Sequence, residues 1–167
     1  VEDRGALHCA DDGTKRLGLV RETSGNGNFV RRGAMMARTK LIIPCYNEAR
    51  RLDTASMLTL LDDDQLELLF VDDGSTDSTR EILEQLALGH GDKVGLLALD
   101  KNLGKAGAVR RGLVIACESG AEQVGYLDAD LATPPHEIQR LARVMSTGTA
   151  QVVVGARVAL LGHKIER

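Results

Sequence analysis

A chain of 167 residues with 43% hydrophobic and 27% charged residues has the composition of one soluble globular domain, and a chain this long removes roughly two-thirds of its surface from water on folding. Its net charge of -3 carries no basic footprint for nucleic acid, and 2% aromatics excludes a lectin-like site built on Trp and Tyr platforms. Cys9, Cys45 and Cys117 form no CxxC pair, which points away from zinc and disulfide frameworks and towards a reducing cytoplasm.

Residues 1–38 hold few apolar side chains and show no sustained period, so a weakly ordered N-terminal extension is expected there, with at most a short hairpin at Gly25-Asn26-Gly27. From Lys40 onward, short runs rich in Leu, Val and Ile alternate with longer helical stretches. That alternation predicts an α/β fold with a mostly parallel sheet and flanking helices over residues 39–167. Strands are expected at 40–44, 66–72, 93–99, 123–128 and 151–155. Ser78 followed by Glu81 reads as a capping box opening the second helix, with Asp77 as the other candidate cap. The third helix is expected from about Lys105 to Glu118, closed by Gly120. The fourth is expected to start with Thr133 as N-cap and Pro134 at its first position.

Four polar clusters fall at predicted strand ends: Pro44-Cys45-Tyr46-Asn47-Glu48, Asp72-Asp73-Gly74-Ser75-Thr76-Asp77, Asn102-Leu103-Gly104-Lys105 and Asp128-Ala129-Asp130. Each alone is compatible with ordinary turns and helix starts, which favour Asp, Asn and Gly. Together they lie at one edge of the sheet, where ligands of open α/β folds bind. Asp128 and Asp130 close a mostly apolar strand. Two carboxylates at i and i+2 of extended chain point the same way and repel unless a cation intervenes, which suggests Mg2+ or Mn2+ with a polyphosphate ligand. Asp72 and Asp73 can accept hydrogen bonds from a base or a ribose. Lys105 adds a cation to a helix N-terminus, a setting that favours phosphate. Ala106 after Lys105 excludes a P-loop, and the first strand is not followed by GxGxxG.

Taken in order, Ile43-Pro44 through Tyr46-Asn47-Glu48, Val71-Asp72-Asp73-Gly74-Ser75, Asn102-Leu103-Gly104-Lys105 and Asp128-Ala129-Asp130 resemble family 2 glycosyltransferases, above all the dolichyl-phosphate glucosyl- and mannosyltransferases. The resemblance covers about residues 39–167 and implies a Rossmann-like GT-A nucleotide-sugar-binding fold. It implies that Pro44, Tyr46, Glu48 and Asp73 line the nucleoside pocket, with Asp128 and Ala129 near ribose and diphosphate. Asp130 would be the principal metal ligand. Gly155-Ala156-Arg157 resembles the family's Gly-Ser-Arg, making Arg157 a candidate phosphate ligand. Lys105 and Arg111 match the basic residues of the family's Asn-x-Gly-Lys-Gly helix start, with Ala106 in place of its second glycine.

The activity implied is inverting transfer of a hexose from a nucleotide-sugar to a polyprenyl phosphate or another acceptor, with UDP-glucose the first expected donor and GDP-mannose the second. The tail from Leu160 reads as the beginning of an acceptor region that lies beyond residue 167, and peripheral contact with the cytoplasmic membrane face is expected. No apolar run approaches the roughly 20 residues needed to span a bilayer. A non-catalytic nucleotide-sugar-binding module and a nucleotidyltransferase are the competing readings. The latter lacks its usual glycine-rich loop here.

Overall fold

The first strand of the sheet, β1 (Thr39–Cys45), buries Leu41, Ile42, Ile43 and Cys45. A strand apolar on successive residues must be covered on both faces, which is the condition of a central parallel strand. β2 (Leu66–Asp72) has the same character and lies parallel to β1, with Cys45 opposite Asp72. β3 (Val94–Ala98) extends the sheet on the far side of β2, and β4 (Gln123–Tyr126) pairs with the other side of β1. The order is therefore β3-β2-β1-β4, all parallel. The computed structural model describes residues 38–156; the predicted Gly25-Asn26-Gly27 hairpin, Arg157 and the tail lie outside them.

Helices cover both faces. α1 (Thr54–Leu58), α2 (Thr79–His90) and α4 (Pro135–Thr147) supply Met57, Leu83 and Ile138 to a core shared with Leu41, Ile43, Leu68 and Phe70. α3 (Lys105–Glu118) closes the other face over Ile42, Leu69, Val71 and Leu97 through Ala108 and Ala116. Gly112 sets how near α3 lies: a Cβ there would stand 2.5 Å from Ile42 Cγ2. Helix and strand approach so closely because Gly112 carries only a hydrogen at that point.

Several expected element ends move by one or two residues. At the second helix Ser78 holds the N-cap position as expected, but the side-chain bond comes from Asp77. Ser78 has near-helical angles (φ -76, ψ 15) and makes no capping bond, whereas Asp77 Oδ1 accepts from the Thr79 amide at 3.0 Å. α4 begins at Pro135, one residue later than expected, and Thr133 does not cap it. Pro134 is extended at ψ 146, as a residue preceding a proline must be.

β4 stops at Tyr126 instead of Asp128. The chain makes one more bond to β1, Leu127 N to Ile42 O at 3.1 Å, and then turns, with the Leu131 amide donating to Asp128 O at 3.2 Å. The strand expected at 151–155 is not formed among the described residues. Val152 and Val154 there are both 76% exposed, so their alternation finds no sheet face to fill, and β4 is one of the two edge strands among the described residues, with Tyr126 exposed.

Candidate active site

Strand order reverses between β1 and β4, so the loops leaving their carboxyl ends diverge and open a crevice. A cavity of about 430 Å³ occupies it, lined by residues of all four expected clusters: Pro44, Cys45, Tyr46 and Glu48, Asp73, Asn102, Gly104 and Lys105, and Asp128, Ala129 and Asp130, with Arg51 added.

The first two loops are stitched together. The Asn47 amide donates to Ser75 Oγ at 3.0 Å, Asn47 Oδ1 accepts from the Thr76 amide at 2.8 Å, and the Glu48 amide donates to Thr79 Oγ1 at 2.8 Å. Asn47 adopts φ 53, a left-handed conformation that asparagine tolerates better than most residues. Gly74 has φ +68, and a Cβ on it would come within 2.7 Å of the Lys101 carbonyl carbon. Only glycine lets the second loop pass the third at that distance.

Asp72 and Asp73 are neighbours with opposite fates. Asp73 lines the cavity, 2% exposed, and Oδ1 accepts from the Leu103 amide at 2.7 Å, binding the second loop to the third. Asp72 is fully buried and does not line the cavity. Its Oδ2 is 2.7 Å from Arg80 Nε and its Oδ1 accepts from the Ser75 amide at 3.1 Å. The expectation that both acids serve the ligand is corrected for Asp72. Strand alternation turns consecutive side chains to opposite faces, so one acid reaches the cavity and the other the interior.

Lys105 and Asp128 meet across the crevice, Nζ to Oδ1 at 2.7 Å, with both side chains well exposed. The hydrogen bond and charge of Asp128, helped by Tyr126 and Asp130, raise the lysine's pKa above its ordinary value. Arg111, the second basic residue expected at the site, sits six residues further along α3, about 9 Å down the helix axis. It is half-buried and does not line the cavity.

Arg51 is the lining residue that sequence reasoning missed. Its Nη2 bonds Glu48 Oε1 at 2.9 Å from the next turn of chain. The i to i+3 spacing of Glu48 and Arg51 was the available signal, obscured by the adjacent Arg50. Cys45 also lines the cavity, but burial first, then Glu48 and Asp72, push its thiol up to about 12, so it stays protonated.

The donor set suits a hard divalent cation. Asp128 and Asp130 present carboxylates at the exposed tip of one turn, and Asp130 Oδ1 accepts from the Ala132 amide at 3.0 Å, which holds its orientation. Among the described residues no three His, Cys, Asp or Glu side chains converge. Asp128 and Asp130 could give a cation one or two carboxylates, with phosphate and water left to complete its shell, the usual arrangement for Mg2+ at a nucleotide.

Residues 40–164 match the sequence profile of Glycosyl transferase family 2. An uncharacterized glycosyltransferase from Nostoc sp. is 38% identical over 112 residues, covering 66% of this chain and 33% of that protein. The undecaprenyl-phosphate 4-deoxy-4-formamido-L-arabinose transferase of Photorhabdus laumondii is 36% identical over 126 residues, covering 73% of this chain and 37% of that one. Among solved structures, the mannosyltransferase PcManGT from Pyrobaculum calidifontis, in complex with GDP-Man and Mn2+, superposes with a TM-score of 0.57 at 28% identity over 69% of this chain and 34% of its own. The chain thus spans about a third of the length of these relatives. Sheet order, crevice and profile agree with the GT-A fold, and the chain belongs to glycosyl transferase family 2.

Proposed function

We propose that this chain is the donor-binding part of an inverting glycosyltransferase that moves a sugar from a nucleoside diphosphate to a polyprenyl phosphate. The observation that carries the reading is the crevice itself, where acids and one lysine from four strand-end loops line a single cavity of about 430 Å³, a volume in the range of small-molecule sites. The names of the similar proteins support it: one acts on undecaprenyl phosphate and another is complexed with GDP-Man and Mn2+.

In this reading Pro44, Tyr46, Glu48 and Asp73 receive the nucleoside, with exposed Tyr46 offering a ring face to the base. Asp130 and Asp128 would hold Mg2+ or Mn2+, which as a Lewis acid neutralises charge on a departing diphosphate. Ala129 is buried between them and fixes the turn in the core. Lys105 stands at the N-terminus of α3, where the amide dipoles reinforce its attraction for phosphate. Arg157 is assigned to a donor or acceptor phosphate from the sequence alone.

An acceptor phosphate oxygen forms the bond to the anomeric carbon from the face opposite the diphosphate. The bond from that carbon to the diphosphate oxygen breaks, and the nucleoside diphosphate leaves with the electron pair. An anionic phosphate is already the nucleophile, so no protein base is required. In this reading a lipid acceptor would bring the protein to the cytoplasmic face of a membrane. No described helix is long and apolar enough to cross one.

Calorimetric titration with UDP, GDP, UDP-glucose and GDP-mannose, with and without Mn2+, tests the reading. Metal-dependent binding of one nucleotide, lost in Asp130→Ala, is the expected result, with UDP-glucose the first candidate and GDP-mannose the second. Metal-dependent sugar transfer onto polyprenyl phosphate separates a transferase from a binding module. Binding that ignores both metal and Asp130 overturns the proposed site.

A further inference from the structure

We infer that Lys105 is the resident counter-cation of Asp128, and that it exchanges this carboxylate for the donor diphosphate, making divalent-metal affinity depend on nucleotide. The inference rests on the donor-site reading above and concerns what the lysine does before the donor arrives.

The Lys105 ammonium lies 2.7 Å from Asp128 Oδ1, the geometry of a direct charge-assisted hydrogen bond. That oxygen belongs to one of only two carboxylates on the turn, and no third converges on them among the described residues. While the lysine holds Asp128, a divalent cation finds a pair of acids with one already engaged.

A diphosphate changes the balance. It brings more negative charge than the carboxylate and meets the same ammonium at the start of α3, where the first helical amides also point. Lys105 has the freedom to swing between the two partners, since its side chain is 61% exposed. Transfer of the ammonium to phosphate uncovers Asp128 for the cation, so each ligand assists the other. Such coupling is reciprocal: a nucleotide that tightens the metal is itself tightened by the metal to the same degree. Arg51 makes the parallel arrangement with Glu48 on the opposite loop, but its partner is not one of the two acids on the turn.

The test is Mn2+ binding to the folded chain, followed by the electron paramagnetic resonance signal of free Mn2+, with and without a nucleoside diphosphate. Lys105→Met is expected to tighten Mn2+ about fivefold or more without nucleotide and to shrink the enhancement that nucleotide gives. Lys105→Arg, which keeps the charge, is expected to keep nucleotide-free Mn2+ binding weak and to retain most of the enhancement, whereas Lys101→Met, an exposed lysine outside the cavity, is expected to behave as the wild type. Unchanged or weakened Mn2+ binding in Lys105→Met overturns the inference. If Asp130→Ala leaves Mn2+ binding intact in the presence of nucleotide, the donor-site reading itself fails. If Asp130→Ala abolishes that binding while Lys105→Met has no effect, the reading stands and only the exchange is wrong.

Discussion

Arg80 reaches the wholly buried carboxylate of Asp72 with Nε 2.7 Å from Oδ2, and the same guanidinium donates from Nη2 to Leu99 O at 2.7 Å. One residue of α2 thus ties the end of β2 to the chain leaving β3. Removing the arginine strands a buried charge, which costs more than removing both charges together. Arg80→Met is expected to lower stability by about 3 kcal/mol in urea unfolding, less than the upper range because the arginine is partly solvated. Asp72→Asn should cost less, since the amide keeps an acceptor and leaves no stranded anion.

Gly74→Ala forces a side chain into a left-handed backbone and against the Lys101 carbonyl carbon at 2.7 Å. Strain of this kind costs about 1–3 kcal/mol. The expected outcome is a folded but destabilised protein whose nucleotide affinity falls as well. The displaced loop carries the Leu103 amide that anchors Asp73. Thermal unfolding and nucleotide calorimetry on one sample check both effects.

The Asp73 carboxylate accepts the Leu103 amide at 2.7 Å while facing the cavity. Asp73→Ala leaves that amide without its partner, at about 1–3 kcal/mol, and removes the cavity acid proposed to meet the base. Asp73→Asn, with its Oδ1 still accepting, is expected to recover most of the stability and little of the nucleotide affinity. The split between unfolding and binding data is the readout.

Two caps give the acid limb of stability a defined shape. Hydrogen bonds from Thr79 hold the Asp77 carboxyl below its ordinary value of 3.8, and bonds from Ser56 do the same for Asp53 at the start of α1. A carboxylate whose folded pKa is depressed contributes stability above its unfolded value and loses it as pH falls through the folded one. The advantage of the wild type over Asp77→Asn and Asp53→Asn is therefore expected to be constant near neutrality, to shrink as pH drops below about 3.8, and to vanish at lower pH. Denaturant midpoints measured from pH 7 to 2 check the shape.

Two described cysteines differ in reach. Cys45 is buried with its thiol pushed up to about 12, while Cys117 is exposed on α3. Iodoacetamide at pH 8 is expected to label Cys117 and spare Cys45 in the folded protein, and to label both in urea. Peptide mass spectrometry resolves the two sites.

The sheet was legible because β1 and β2 each hold an apolar run, residues 41–43 and 68–71, and α3 because Lys105 and Glu118 bound an apolar stripe that begins after Gly104 and stops before Gly120. The four loops were legible as a group since parallel topology sends every strand's carboxyl end to one side. Pairwise facts were not. Which of two adjacent acids faces the cavity depends on the strand's register, and which arginine meets Glu48 depends on a turn's geometry. The run at 151–155 has the alternation of a strand, yet pattern alone does not supply a neighbouring edge for it to pair with.

The stitches between loops also differ in kind, and ionic strength tells them apart. Asn47, Ser75 and Thr76 lock the first two loops with neutral hydrogen bonds, and the buried Asp73 oxygen joins the third. The fourth loop meets α3 through the solvated Lys105 and Asp128 pair. Added salt screens a solvated pair over a Debye length of about 8 Å at physiological strength and leaves short neutral bonds almost untouched. The crevice is in this sense a vice with one jaw bolted and the other sprung, and the ionic atmosphere sets the tension of the spring.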